Sequence, residues 1–128
     1  LPDFRDYACA VPQPGTRGIG DTHVLGPFLR DVARLNDAQR NFRVFGPDET
    51  LSNGLVSLFD VTARQWDAAA APNDEWLAPS GRVMEVLSEH QCRAGWRAIC
   101  SPAGTACSIA TRRSSTSSTR CSTSTPSG

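Results

Sequence analysis

Lysine is missing from this 128-residue chain, and every cationic side chain is arginine. A solvated face normally uses both, so the bias has no folding rationale and fits a GC-rich coding sequence. Long apolar runs are missing too. The longest small-apolar stretch, residues 68–71, falls far short of the roughly 18 residues a bilayer span needs. No basic-then-apolar leader is visible, so export is not expected and a cytoplasmic location is. The chain opens on Leu-Pro-Asp-Phe without a Met, which leads to the expectation of a fragment. The cysteines, Cys9, Cys92, Cys100, Cys107 and Cys121, are odd in number. Without a leader, that argues against a disulfide framework. There is no C-x-x-C and no His pair at zinc spacing, so no metal ligand is expected. No G-x-S-x-G, P-loop or dinucleotide fingerprint occurs.

What is present allows one small core. Only 39% of the chain is hydrophobic, and 10 glycines and 9 prolines interrupt it. A single domain fits this length and a large two-domain enzyme does not. Net charge is zero but unevenly spread. All 13 acidic residues lie at or before Glu89 with eight arginines, giving that stretch −5 and the remainder +5. Such asymmetry suits a basic tail that binds nucleic acid, or two segments of different history.

Residues 1–20 read as an extended arm broken by Pro2, Pro12, Pro14 and three glycines. Residues 24–35 read as an amphipathic helix with Val24, Leu25, Phe28, Val32 and Leu35 on one side and Pro27 in its first turn. Residues 42–45 alternate as a short strand that ends at Gly46-Pro47-Asp48. Residues 50–59 predict a second helix with Leu51, Leu55, Leu58 and Phe59 on one face, capped by Thr50 or Ser52. An Ala-, Pro- and Asp-rich loop covers residues 67–80, a strand residues 82–87, and a helix begins at Glu89 behind an N-capping Ser88. Strand-helix alternation is the mark of an α/β fold. Ligands of such folds bind where strands end and helices begin. Residues 46–53 and 88–90 are therefore where chemistry is expected. From about Arg97 the period collapses, and the Ser/Thr-rich residues 101–128 read as a disordered tail.

Each motif has a plain structural reading beside the functional one. Asp48 and Glu49 suit the N-terminus of a helix, where acids offset the dipole. Ser52-Asn53 could bind phosphate through hydroxyl, amide and helix N–H groups, but alone the pair is a weak signal. Glu89 follows apolar Val86-Leu87. A partly desolvated carboxylate there would suit proton work, although a first-turn capping Glu explains it as well. His90 is one of two histidines and reads as structural, and His23 carries no signal. Tyr7, Trp66 and Trp76 read as packing or surface cover.

Together these pieces resemble one family. LPDFRDYA, VLGPFLRDV, NFRVFGPDET, SN, VTARQW and GRVMEVLSEHQC stand in the order and spacing of the middle part of phosphoketolases. The resemblance covers nearly all of residues 1–92. It implies an α/β fold, part of the pyrimidine-binding domain of a transketolase-like, thiamine-diphosphate-binding architecture. Residues 1–22 are then a linker arm, 23–92 a partial middle domain and 93–128 a tail. The family is a carbon–carbon lyase of carbohydrate metabolism. It splits xylulose 5-phosphate or fructose 6-phosphate with inorganic phosphate, giving acetyl phosphate and an aldose phosphate. It uses thiamine diphosphate and Mg2+ and works as a homo-oligomer, with no membrane or nucleic-acid partner. The resemblance implies that Glu89 contacts the aminopyrimidine ring as the catalytic, cofactor-binding residue. It implies that Ser52, with neighbouring Asn53 and Asp48, meets the substrate phosphate. Gly54 stands where the family often has Arg, and Trp76 where it often has His.

Past Cys92 the resemblance stops, apart from Gly95-Trp96. Back-translation offers a reason. Codons CGG GCT GGC TGG CGG GCT ATC TGC TCA CCG, written for the ten residues from Arg93, give GWLAGYLLT when read two bases on. Carried further, the shift gives GRHGLF and DSYEAFIHIVDSMFNQHAKW, which resemble the family's continuation. The expectation is a single-base deletion near codon 93, with everything after it out of frame. The family's metal and diphosphate ligands then lie outside the chain, which is expected to bind no cofactor and to be inactive alone. Two other function classes compete. One is an acidic head with a basic tail as a nucleic-acid or protein binding module. The other is a fragment that docks on an intact phosphoketolase subunit.

Overall fold

The computed structural model describes residues 1–47 and 50–99, together with the backbone of the strands at 105–111 and 117–122. Two helices and six strands form an α/β unit. The strands are β1 (Phe42–Gly46), β2 (Arg64–Gln65), β3 (Leu77–Ala78), β4 (Val83–Glu85), β5 (Thr105–Thr111) and β6 (Ser117–Ser122), in sheet order β3-β2-β4-β1-β5-β6. Every pairing is parallel except β5 with β6. β1 and β4 run in register, Val44 opposite Val83 and Gly46 opposite Glu85.

Helix α1 (Asp21–Leu35) begins one turn earlier than its apolar period predicts. Asp21 lies in its first turn, where a carboxylate offsets the dipole. Pro27 therefore lies inside the helix rather than in its first turn. It leaves the His23 carbonyl without its usual helical donor. At the other end Asn36 stops the helix, its Nδ2 donating to the Val32 carbonyl at 2.8 Å.

Strand alternation assigns two faces. Phe42, Val44 and Val83 point to the α1 side. There they form the main core with Leu29, Val32, Ala33, Leu55, Leu58 and Phe59. Phe45 points the other way, against Cys92 of α2 (Glu89–Ile99), with Met84, Val86, Trp96 and Ile99 around it. The close approach of α2 depends on Gly95, where a Cβ would stand 2.6 Å from the Phe45 ring. Arg82, only 4% exposed, closes the base of the main core. Its guanidinium donates to the Ala33 carbonyl at 2.7 Å and pairs with Asp37 at 3.1 Å.

Several expectations change. A 3-10 helix at Phe4–Tyr7 interrupts the extended arm, β3 lies inside the loop expected over residues 67–80, and β4 is shorter than the expected 82–87. Residues 50–59 do not form one helix: residues 50–54 turn, and only Val56–Asp60 winds into a 3-10 helix. Gly54 takes φ +74, which breaks the right-handed run. The Leu55 amide bonds back to the Thr50 carbonyl at 3.1 Å. Leu55, Leu58 and Phe59 still reach the core, whereas Leu51 is left 42% exposed. The tail is not wholly without structure, since β5 lies parallel on the edge of β1 and β6 folds back on β5. Edge pairing uses backbone N–H and C=O groups, which every non-proline residue carries, so a strand can form there without any apolar period.

Candidate functional site

Parallel pairing sets the C-terminal ends of β1 and β4 side by side. The Val86 amide donates to the Gly46 carbonyl at 2.9 Å and ties the two ends together. Two turns leave from this edge. One, described over residues 50–54, comes after β1, and the other follows β4 into α2. Both segments singled out from sequence thus follow strands at the same end of the sheet, the end where α/β folds bind ligands.

The second turn is built as its sequence predicts. The Gln91 amide donates to Ser88 Oγ at 3.3 Å, so Ser88 caps α2. Glu89 is the first residue of the helix. Its side chain is exposed, not partly desolvated as its apolar neighbours suggest. Leu87 just before it is 85% exposed and gives no cover. His90 is exposed beside it. Cys92, one turn further in, is buried, which pushes its thiol pKa up, and its Sγ donates to the Val86 carbonyl at 3.4 Å.

In the first turn Ser52 is exposed and Asn53 half-buried. Asp48 and Glu49 lie outside the described residues. Thr50 is buried and its amide donates to Glu85 Oε1 at 3.3 Å. The other Glu85 oxygen takes the guanidinium of Arg64, which lies 4.6 Å above the Phe59 ring. Phe59 in turn stacks on Trp76 at 5.1 Å. Sequence reasoning missed Glu85 and Arg64. A signal was available: Glu85 falls in the same phase as Val83, so a carboxylate pointing to the buried face had to find partners.

A hollow of about 260 Å³, lined among others by Asp37, Arg40, Thr62, Ser80 and Arg82, lies at the opposite end of β4. It is remote from Ser52 and Glu89 along the strand direction. Among the described residues no group of three His, Cys, Asp or Glu side chains could hold a metal ion. No described helix is long and apolar enough to cross a membrane.

The family model for D-xylulose 5-phosphate/D-fructose 6-phosphate phosphoketolase matches residues 23–106. The chain belongs to this phosphoketolase family. The match runs past Cys92, beyond the point where the motif resemblance stops. A probable phosphoketolase of Rhodopirellula baltica is 66% identical over 96 residues, 75% of this chain and 12% of the relative. Over the same shares, a probable phosphoketolase of Nitrosospira multiformis is 59% identical and probable phosphoketolase 2 of a Nostoc species 57%. The chain thus spans about 12% of the length of the curated relatives it matches.

The thiamine diphosphate and Mg2+ that the family implies can be tested against these residues. An exposed carboxylate at the first residue of α2 fits one contact, a hydrogen bond accepted from a ring N–H. The described residues offer no metal-ligand cluster for the diphosphate end.

Proposed function

We propose that this chain is an internal segment of a phosphoketolase. The whole enzyme cleaves xylulose 5-phosphate or fructose 6-phosphate with inorganic phosphate, yielding acetyl phosphate and a shorter aldose phosphate. The segment supplies part of the pyrimidine-binding domain. The observation that supports this reading is the parallel register of β1 and β4, from whose shared end the segments carrying Ser52-Asn53 and Glu89 both leave. Within the whole enzyme, bound thiamine diphosphate supplies the carbon nucleophile. Glu89 accepts a hydrogen bond from the pyrimidine ring nitrogen and holds the ring in the tautomer that can move a proton. Ser52, with Asn53 and Asp48, receives the substrate phosphate through hydroxyl and amide donors and orients it. The enzyme works in the cytoplasm as a homo-oligomer. Residues 93 onward are the same gene read out of frame.

Alone, the chain makes no acetyl phosphate, because most of a phosphoketolase lies outside it. A hydroxamate assay of the purified chain stays at background, and calorimetry with thiamine diphosphate and Mg2+ gives no binding heat. When residues 1–92 replace their counterparts in the Rhodopirellula baltica phosphoketolase, activity is retained and Glu89→Gln abolishes it. Acetyl phosphate from the isolated chain, or an active Glu89→Gln graft, contradicts the proposal.

A further inference from the structure

We propose that Glu85 is the positioning residue of this site, its carboxylate holding the turn that carries Ser52 and Asn53 against the strand that leads to Glu89. The inference rests on the phosphoketolase reading of those three residues. Glu85 is the last residue of β4, four positions before Glu89. Its side chain is 14% exposed and that of Arg64 20%, so a charged pair is largely withdrawn from water at the ligand-facing end of the sheet. Burying such a pair is costly and seldom favoured for stability alone.

The geometry gives the pair a task. The two oxygens of Glu85 reach different elements: Oε1 accepts the Thr50 amide, and Oε2 the guanidinium of Arg64. The Thr50 amide is the entry of the turn, two residues before Ser52. Its exit is held by the Leu55 amide on the Thr50 carbonyl and by Leu55 in the core. Arg64 is itself fixed, its guanidinium over Phe59 and its amide on the Trp76 carbonyl at 2.7 Å. Glu85 of β4 thus holds the turn at its Thr50 amide. A shift of Glu85 would move the phosphate-binding turn relative to Glu89.

Amide exchange in the full chain tests this with two variants that both remove the arginine charge and differ only in the acceptor. Arg64→Gln/Glu85→Gln keeps a carbonyl for the Thr50 amide and keeps its protection. Arg64→Gln/Glu85→Ala loses it, and Thr50 exchanges about tenfold or more faster while Leu58 and Val83 are unchanged. Equal exchange at Thr50 in the two variants, or equal acceleration of Leu58 and Val83, overturns the anchor. The same pair in the graft described above separates positioning from stability. The Ala variant raises KM for the sugar phosphate about tenfold, with kcat changed less than about threefold, and the Gln variant restores it. A loss confined to kcat, or no rescue by Gln, overturns the positioning role. An inactive parent graft overturns the phosphoketolase reading instead, and with it this role, even where the exchange result holds.

Discussion

The residues up to Cys92 and the strands β5 and β6 are joined to the fold by different described contacts. The first region is specified by side chains: Leu29, Leu55, Leu58 and Val83 interlock, and Arg82 and Glu85 each find defined partners. The second joins through backbone pairing along β1. One is described by packed side chains, and the other by its pairing along the sheet edge. The proposed frame change near codon 93 would leave such a difference behind, because out-of-frame sequence keeps a backbone and loses its apolar period.

The largest test of this contrast is in the main core. Leu58 is fully buried, and Leu58→Ala should cost about 2–5 kcal/mol of stability in denaturant unfolding. Shuffling residues 101–128 should shift the same midpoint by less than about 1 kcal/mol, in the range of substitutions away from a packed core. Equal effects would erase the distinction. Arg82→Met comes next. It leaves the Ala33 and Val61 carbonyls without their guanidinium donor, at about 1–3 kcal/mol. A smaller effect follows from Cys107→Pro/Ser108→Pro. Successive N–H groups of a strand point to opposite neighbours, so the pair removes a donor from each side of β5. Amide exchange in β1 should then rise while the Leu58 amide stays protected.

The smallest effect concerns the arm. The Tyr7 hydroxyl donates to Asp31 at 2.6 Å and its ring meets Phe28 edge-on at 5.4 Å. Arg30 and then Tyr7 hold the Asp31 carboxyl well below its usual range, and the bond to Asp31 raises the Tyr7 phenol. A lowered carboxyl contributes stability above its ordinary pKa, about 4, and loses it as pH falls through the lowered value. A raised phenol contributes below its ordinary pKa, about 10, and loses it as pH rises through the raised value. The arm should stay docked between those limits. Tyr7→Phe should loosen it within that window, read from the Phe28 ring resonances, without moving the core.

Much of the fold was legible because apolar period and turn chemistry agree. Phe42, Val44 and Val83 announce two strands, and Ser88 announces the start of α2. Where they conflict, the reading fails. Leu51, Leu55, Leu58 and Phe59 have helical spacing, but Gly54 at positive φ breaks the run, a backbone constraint that spacing does not encode. The exposure of Glu89 was illegible because apolar neighbours in sequence do not guarantee cover in space. Glu85 was legible only from strand phase, and its partner Arg64 lies 21 positions away, beyond any local pattern.

The nucleotide sequence from codon 93 onward tests the central claim most directly. The account predicts that reading two bases on gives an uninterrupted phosphoketolase continuation beginning with Gly-Trp-Leu. Stop codons or unrelated residues in that shifted frame would contradict it.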